Sequence, residues 1–88
     1  MVLYTVEKAV EAGISPHTAI QVISCESSWN EKAVGDGGTS FGLVQIHLPA
    51  HPEVSQRKAE DPEFAINFLV NALKNGDGWM WTCYRNLK

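Results

Sequence analysis

The hydrophobic residues in the first third of the chain recur at helical spacing. Between residues 2 and 10 they follow one another at intervals of three and four, which predicts a helix, and Gly13 is a typical residue for its end. Ser15 is suited to cap a second helix, and Pro16 suits its first turn, where no backbone N–H is required. This second helix is predicted to run to about Ser27.

Glycine, proline and small polar residues interrupt the centre of the chain. Residues 30–41 are rich in Gly, Asp and Asn, which predicts a loop or a short hairpin. The apolar segment 41–47 that follows is predicted to be helical. Asp61-Pro62 is a typical start of a further helix, and its residues are apolar on almost every side as far as residue 74. That helix is expected to be central and buried, and a short last helix is predicted over 78–86.

Composition and charge narrow the class of protein. The chain has 88 residues, of which 44% are hydrophobic, so one mainly α domain spanning residues 1–88 is expected. The net charge is −3 and the charges are scattered, so we expect no nucleic-acid partner and a monomer. No apolar run approaches the roughly 18 residues of a membrane span. The first residues carry acidic groups and lack the layout of a secretion signal.

Cys25 and Cys83 lie near opposite ends of the chain. They are either two free buried thiols or one disulfide that closes a loop of about 58 residues. The disulfide is favoured because a chain-entropy gain on the order of 4 kcal/mol matters to so small a domain. A disulfide would indicate an oxidising compartment.

One carboxylate falls on the apolar stripe of the second helix. Glu26 follows Ala19, Val22 and Ile23 at helical spacing, so it shares their face. Partial burial and the helix C-terminus both raise the pKa of a carboxyl group, which suits a general acid at neutral pH. The alternative is an ordinary solvent-exposed glutamate at a helix end.

Several polar and aromatic residues near Glu26 are candidates for ligand binding. Asp36 and Ser40 carry small polar groups suited to hydroxyl or acetamido groups, and the Gln45 amide both donates and accepts hydrogen bonds. Trp29 and the later tryptophans offer flat faces on which a sugar ring can stack, although core packing is the alternative. Turn formation and backbone bracing are the alternatives for the polar residues. His47 and His51 have the i, i+4 spacing of some metal pairs, but Pro49 lies between them, so neither a metal nor another cofactor is expected.

The segment CESSWNEKAVGDGGTSFGLVQIH resembles the active-site segment of the lysozyme-like lytic transglycosylases. The likeness rests on Glu26-Ser27, then Trp29, Asn30 and Ala33, and finally Gly-Leu-Val-Gln-Ile at 42–46, and it extends over roughly 15–75. The resemblance implies a mainly α, lysozyme-like domain with a substrate cleft, bordered by the glycine-rich loop. It assigns Glu26 as the catalytic acid and base and Gln45 as a contact to an N-acetyl sugar. The Cys-Glu pair is also similar to that of the resuscitation-promoting factors.

The substrate that this resemblance implies is the glycan strand of peptidoglycan, cleaved between N-acetylmuramic acid and N-acetylglucosamine. A location outside the cytoplasm follows, either by secretion or with a phage. The family's Ala-Tyr-Asn segment is missing, and Tyr84 is the expected replacement for its tyrosine in a shortened variant of the fold. No second carboxylate is convincingly spaced, with Asp36 as the one loop candidate, which favours a lytic transglycosylase. A muramidase-type hydrolase and a non-catalytic glycan-binding module remain as alternatives.

Overall fold

The computed structural model describes residues 1–87, and helices make up most of the regular structure. The longest described helix has 13 residues, and none within 1–87 combines the length and apolar character needed to cross a bilayer. The elements in chain order are α1 (Val2–Ala12), α2 (Pro16–Ser27), β1 (Val34–Gly35), β2 (Ser40–Phe41), β3 (Ile46–His47), α3 (Gln56–Ala59), α4 (Pro62–Lys74) and α5 (Thr82–Arg85). Two 3-10 turns, Leu48–Ala50 and Gly78–Met80, precede α3 and α5.

The predicted helix ends are confirmed by their capping hydrogen bonds. Gly13 ends α1 in the left-handed conformation, with φ 75°. The Ser15 side chain accepts a hydrogen bond from the Thr18 backbone N–H and so begins α2. Asp61 accepts hydrogen bonds from the first backbone N–H groups of α4. These bonds are local in sequence, which is why the sequence pattern was sufficient to find them.

Helix α4 forms the centre of the hydrophobic core. Five of its residues are buried: Ala65, Ile66, Leu69, Val70 and Ala72. It packs against α1 and α3, and buried residues of α2 and the hairpin join the same cluster. The prediction of a central, buried helix is therefore confirmed.

The buried face of α1 is not its most apolar face. Leu3 is 80% exposed and Val10 is also exposed, whereas Thr5 and Ala9 are fully buried. The hydroxyl of Tyr4 accepts a hydrogen bond of 2.7 Å from Asn67 Nδ2 on α4. Small side chains and this polar contact let α1 approach α4 closely.

The helix predicted for residues 41–47 is wrong. The segment instead closes a three-stranded antiparallel sheet, here called the hairpin sheet (β1–β3), in which Phe41 pairs with Ile46 and Ser40 with His47. Gly42 has φ 85°, and a Cβ there would collide with the carbonyl oxygen of Ala59. The chain therefore makes a tight turn against α3 in place of a helical turn. The hairpin predicted for residues 30–41 is confirmed.

The last helix is shorter than predicted and is interrupted. Trp81 has an extended backbone between the 3-10 turn and α5, so residues 78–86 do not form one helix. Its indole Nε1 donates a buried hydrogen bond of 2.7 Å to the carbonyl oxygen of Val44. This bond fastens the C-terminal segment to the hairpin sheet, and its geometry requires the break.

The two cysteines form the predicted disulfide. Cys25 in the last turn of α2 is bonded to Cys83 in α5, with an S–S distance of 2.05 Å and a sequence separation of 58. No free cysteine remains. The alternative of two free thiols is thereby excluded in this structure.

Replacing both cysteines by serine should lower the free energy of unfolding by about 4 kcal/mol, because the unfolded chain regains the entropy that the closed loop removes. Denaturant unfolding of the wild type and of the Cys25→Ser/Cys83→Ser variant measures this difference. In a second experiment the wild type is reduced until a thiol titration finds both cysteines free. Its stability should then fall, whereas the same treatment should leave the stability of the variant unchanged. Equal stability of the oxidised and reduced wild type would contradict the expectation.

Candidate active site

One large cavity lies where the end of α2, the hairpin sheet and the C-terminal segment meet. Its volume of about 860 Å³ is within the range of ligand-binding clefts. Its walls carry Glu26 from α2, Asp36, Gln45 and His47 from the hairpin sheet and its loops, His51, and residues 79–83. We call residues 79–83 the C-terminal wall. The sequence motif and the two chain ends thus converge on one cleft.

Glu26 is half-buried in the last turn of α2, on the stripe that also carries the fully buried Val22 and Ile23. Burial raises the pKa of its carboxyl group, and the negative charge of Asp36 raises it further. The backbone N–H of Cys83 donates a hydrogen bond to the carboxylate and opposes this rise, but the pKa remains above its usual range. The group therefore keeps its proton to a higher pH than an exposed glutamate does.

Asp36 is held in the cavity wall by hydroxyl groups of the hairpin. Ser40 Oγ donates a hydrogen bond of 2.6 Å to Asp36 Oδ2, and Thr39 Oγ1 donates one of 2.8 Å to the Asp36 backbone carbonyl. The backbone of Asp36 is left-handed, with φ 53°. Its side chain is exposed, and these hydrogen bonds hold it at the wall of the same cavity as Glu26.

His47 completes this polar network, and the sequence did not indicate it for this role. Its Nδ1 lies 3.2 Å from Ser40 Oγ and 3.3 Å from Thr39 Oγ1. The two hydroxyls thus connect the His47 ring to Asp36. His47 lies opposite Ser40 because of the register between β2 and β3. The sequence analysis predicted a helix for residues 41–47, so it could not predict this pairing. Within residues 1–87, no group of three or more His, Cys, Asp or Glu side chains is arranged to hold a metal ion.

Gln45 braces the hairpin with its amide nitrogen. Nε2 donates hydrogen bonds of 3.0 Å to the backbone carbonyls of Ala33 and Gly42. The side-chain oxygen packs against Gly35, where a Cβ would collide with it. Gln45 also lines the cavity, so its oxygen Oε1 is the atom that remains available to a ligand. Gln45 therefore braces the hairpin backbone, which the sequence analysis gave as the alternative to ligand binding.

The structure places three predicted ligand-binding residues outside this cavity. Ser40 is 0% exposed and holds Asp36. Trp29 follows a left-handed turn, packs against the core and donates its Nε1–H to Ser24 Oγ at 2.8 Å. Tyr84 borders a separate cavity of about 180 Å³ and its ring lies against Gly78. None of these three side chains is among the residues that line the cavity, and their roles towards a ligand stay predictions.

The C-terminal wall was predicted only through its tryptophans, which were candidates for stacking on a sugar; the position of Met80 and Cys83 at the site was not predicted. Cys25 directly precedes Glu26 in the chain. The disulfide from Cys25 to Cys83 therefore holds Cys83 close to that glutamate in space. Trp79 and Met80 enter the cavity wall through the 3-10 turn before the break at Trp81. The position of this wall could have been predicted from the sequence, because a disulfide between Cys25 and Cys83 brings the C-terminal segment to the glutamate that follows Cys25.

The comparison with protein families gives a match over most of the chain. Residues 4–80 match the family model described as Transglycosylase SLT domain. No curated protein and no solved structure matches the chain. The matched range includes Glu26, the hairpin sheet and Trp79, whereas α5 with Cys83 lies beyond it.

Gln45→Ala should lower the free energy of unfolding by about 1–3 kcal/mol, because two backbone carbonyls of the hairpin lose their donor. Glutamine and alanine both have a Cβ, so the left-handed backbone at residue 45 is about equally unfavourable in the wild type and in the variant. Denaturant unfolding measures the loss. Gln56→Ala is the matched control, since this exposed glutamine makes one long surface hydrogen bond and should change stability by less than about 0.5 kcal/mol. A Gln45→Ala protein as stable as the wild type would show that the amide does not brace the loop.

Proposed function

The chain belongs to the Transglycosylase SLT domain family, and we propose that it is a lytic transglycosylase in which Glu26 is the general acid and base. The family implies cleavage of peptidoglycan glycan strands. The proposed bond is the β-1,4 link between N-acetylmuramic acid and N-acetylglucosamine. The observation that carries the proposal is the position of Glu26, which is half-buried on the apolar stripe of α2 and lies on the wall of a cleft of about 860 Å³, within the range that matches the family.

In the first step Glu26 gives its proton to the glycosidic oxygen. The bond between that oxygen and C1 of the N-acetylmuramic acid breaks through an oxocarbenium-like state, and the other sugar leaves with a new hydroxyl group. Because its pKa is raised, Glu26 keeps its proton to a higher pH than an exposed glutamate does, which suits a general acid. The backbone N–H of Cys83 orients the carboxyl group and stabilises the carboxylate that forms.

In the second step the Glu26 carboxylate acts as the base. It removes the proton from the 6-hydroxyl of the same N-acetylmuramic acid, whose oxygen attacks C1. A 1,6-anhydro ring forms, Glu26 regains its proton, and no water is consumed. One ionisable group is sufficient for this cycle.

A second candidate is hydrolysis, and the position of Asp36 favours it. The fixed carboxylate of Asp36 lies on the same cavity as Glu26 and influences its pKa. A second carboxylate of this kind can activate a water molecule for attack on C1, which leaves a reducing end. The third candidate, a glycan-binding module without turnover, keeps the same groove.

The proposed substrate implies a site of action outside the cytoplasm, in the cell envelope, in the extracellular space or with a phage. The Cys25–Cys83 disulfide is compatible with such an oxidising compartment.

Glu26→Gln should abolish nearly all turnover of purified peptidoglycan, with a loss of at least about 10²-fold, because the amide cannot transfer the proton. Mass spectrometry of the released ends identifies the route in the wild type. Anhydro ends support the transglycosylase, reducing ends the hydrolase, and binding without new ends the non-catalytic module. Turnover of Glu26→Gln at the wild-type rate would overturn the role of Glu26.

Thermal unfolding is the control for Glu26→Gln. A carboxyl with a raised pKa contributes stability below its ordinary value of 4.5 and loses it as the pH rises through its folded value. The variant should therefore be at least as stable as the wild type at pH 7. A large loss of stability at pH 7 would attribute the lost turnover to misfolding.

Asp36→Asn separates the two catalytic routes. Removing this negative charge lowers the pKa of Glu26, so the alkaline limb of the kcat/KM profile should move to lower pH. A transglycosylase should keep its turnover within about tenfold at the new optimum, whereas loss of a hydrolytic base should cost at least about 10²-fold. Glu31→Gln, at an exposed glutamate outside the cavity, should leave the limb in place. An unshifted limb in Asp36→Asn would contradict the electrostatic coupling.

A further inference from the structure

Trp79 differs from the other two tryptophans in its exposure. Its side chain is 62% exposed and borders the cavity, whereas Trp81 is 5% exposed and Trp29 packs against the core. A single exposed apolar residue is common on protein surfaces. An exposed indole on the wall of a cleft next to two carboxyl groups is less easily explained by chance placement.

The turn that carries Trp79 is held firmly, so its exposure does not come from a loose chain end. Gly78 is buried, and a Cβ there would collide with the ring of Tyr84 and the side chain of Leu73. Arg85 donates a hydrogen bond to the Trp79 carbonyl. Two residues further along the chain, Trp81 is fastened to Val44. The indole is thus presented from a fixed backbone, and little ordering entropy is lost when a ligand covers it.

The chemistry of the cavity indicates a neutral, hydroxyl-rich ligand. Its lining contains no Lys or Arg among the described residues, and it contains the acidic Glu26 and Asp36, so a phosphate or an acidic peptide is disfavoured. Asp36 and Gln45 Oε1 offer acceptors for hydroxyl groups. A pyranose ring with equatorial substituents has hydroxyls on its rim and C–H groups on its faces. Such a ring satisfies the acceptors at its edge and covers an aromatic surface with its face.

We propose that Trp79 is a stacking platform for one sugar ring of the glycan strand, at a position separate from the sugar that Glu26 protonates. This inference rests on the proposed function and adds a binding site to it. Stacking recognises the ring and not its acetamido group, so Trp79 supplies affinity for a longer strand. The consequence is that affinity should grow with oligomer length, and that this growth should depend on Trp79.

Isothermal titration of the Glu26→Gln protein with N-acetylglucosamine oligomers tests the platform without turnover. Adding Trp79→Ala should weaken hexamer binding about tenfold, the scale of one aromatic contact, and should weaken dimer binding much less. Adding Trp79→Phe keeps a flat face and should retain the hexamer affinity within about threefold. Leu3→Ala removes another exposed apolar side chain, on α1 and outside the cavity, and should leave both affinities unchanged.

The outcomes distinguish the platform from the proposed function. If the Glu26→Gln protein binds neither oligomer nor peptidoglycan, the proposed function fails and the platform fails with it. If it binds the oligomers but Trp79→Ala leaves the ratio of dimer to hexamer Kd unchanged, the platform alone is overturned. A fall in melting temperature together with equal losses for both oligomers would show a structural role and would also overturn it.

Discussion

The disulfide between Cys25 and Cys83 is the constraint on which the site depends. Cys25 directly precedes Glu26, and the backbone N–H of Cys83 contacts the carboxyl group of that glutamate. The covalent bond therefore holds Cys83 beside Glu26, although the two residues are far apart in the chain. It also places the C-terminal wall beside α2, and the second fastening of that wall is the bond from Trp81 to Val44. A domain of this size has only a small hydrophobic core, so one disulfide can hold the C-terminal wall in a position that a larger protein would stabilise by core packing.

The surroundings of Glu26 make its ionised form unfavourable, which lowers the stability of the fold but raises the pKa of the carboxyl group. Its burial and the nearby charge of Asp36 disfavour the carboxylate, and one backbone N–H from Cys83 offsets part of that cost. Replacing the group by a neutral one would relieve the fold of this cost, and under the proposed function it would also remove the proton used in cleavage. A locally unfavourable group of this kind is typical of functional sites, where the fold accepts a loss of stability.

Backbone strain is concentrated in the loops that carry the site. Asp36 and Gln45 are two of the four non-glycine residues with positive φ among the described residues, and both line the cleft. Local hydrogen bonds stabilise both: Ser40 and Thr39 hold the first, and two backbone carbonyls hold the second. Ser40 therefore acts on the cavity through Asp36, whereas His47 lines the cavity itself. The network keeps Asp36 in a defined place on the cavity wall.

The sequence by itself determined the features that depend on neighbouring residues. The caps at Ser15 and Asp61, the stop at Gly13 and the apolar stripe that includes Glu26 all arise within one or two helical turns, so spacing and residue type were sufficient. Only the tertiary structure decided which aromatic residues border the cleft: Trp79 and Trp81 line it, whereas Tyr84 lines a different cavity. It also decided that residues 41–47 form a hairpin, since the turn at Gly42 is shaped by contact with Ala59 on α3, which lies far along the chain. Contacts between distant residues carry no signature in local spacing, and the cleft is built almost entirely from such contacts.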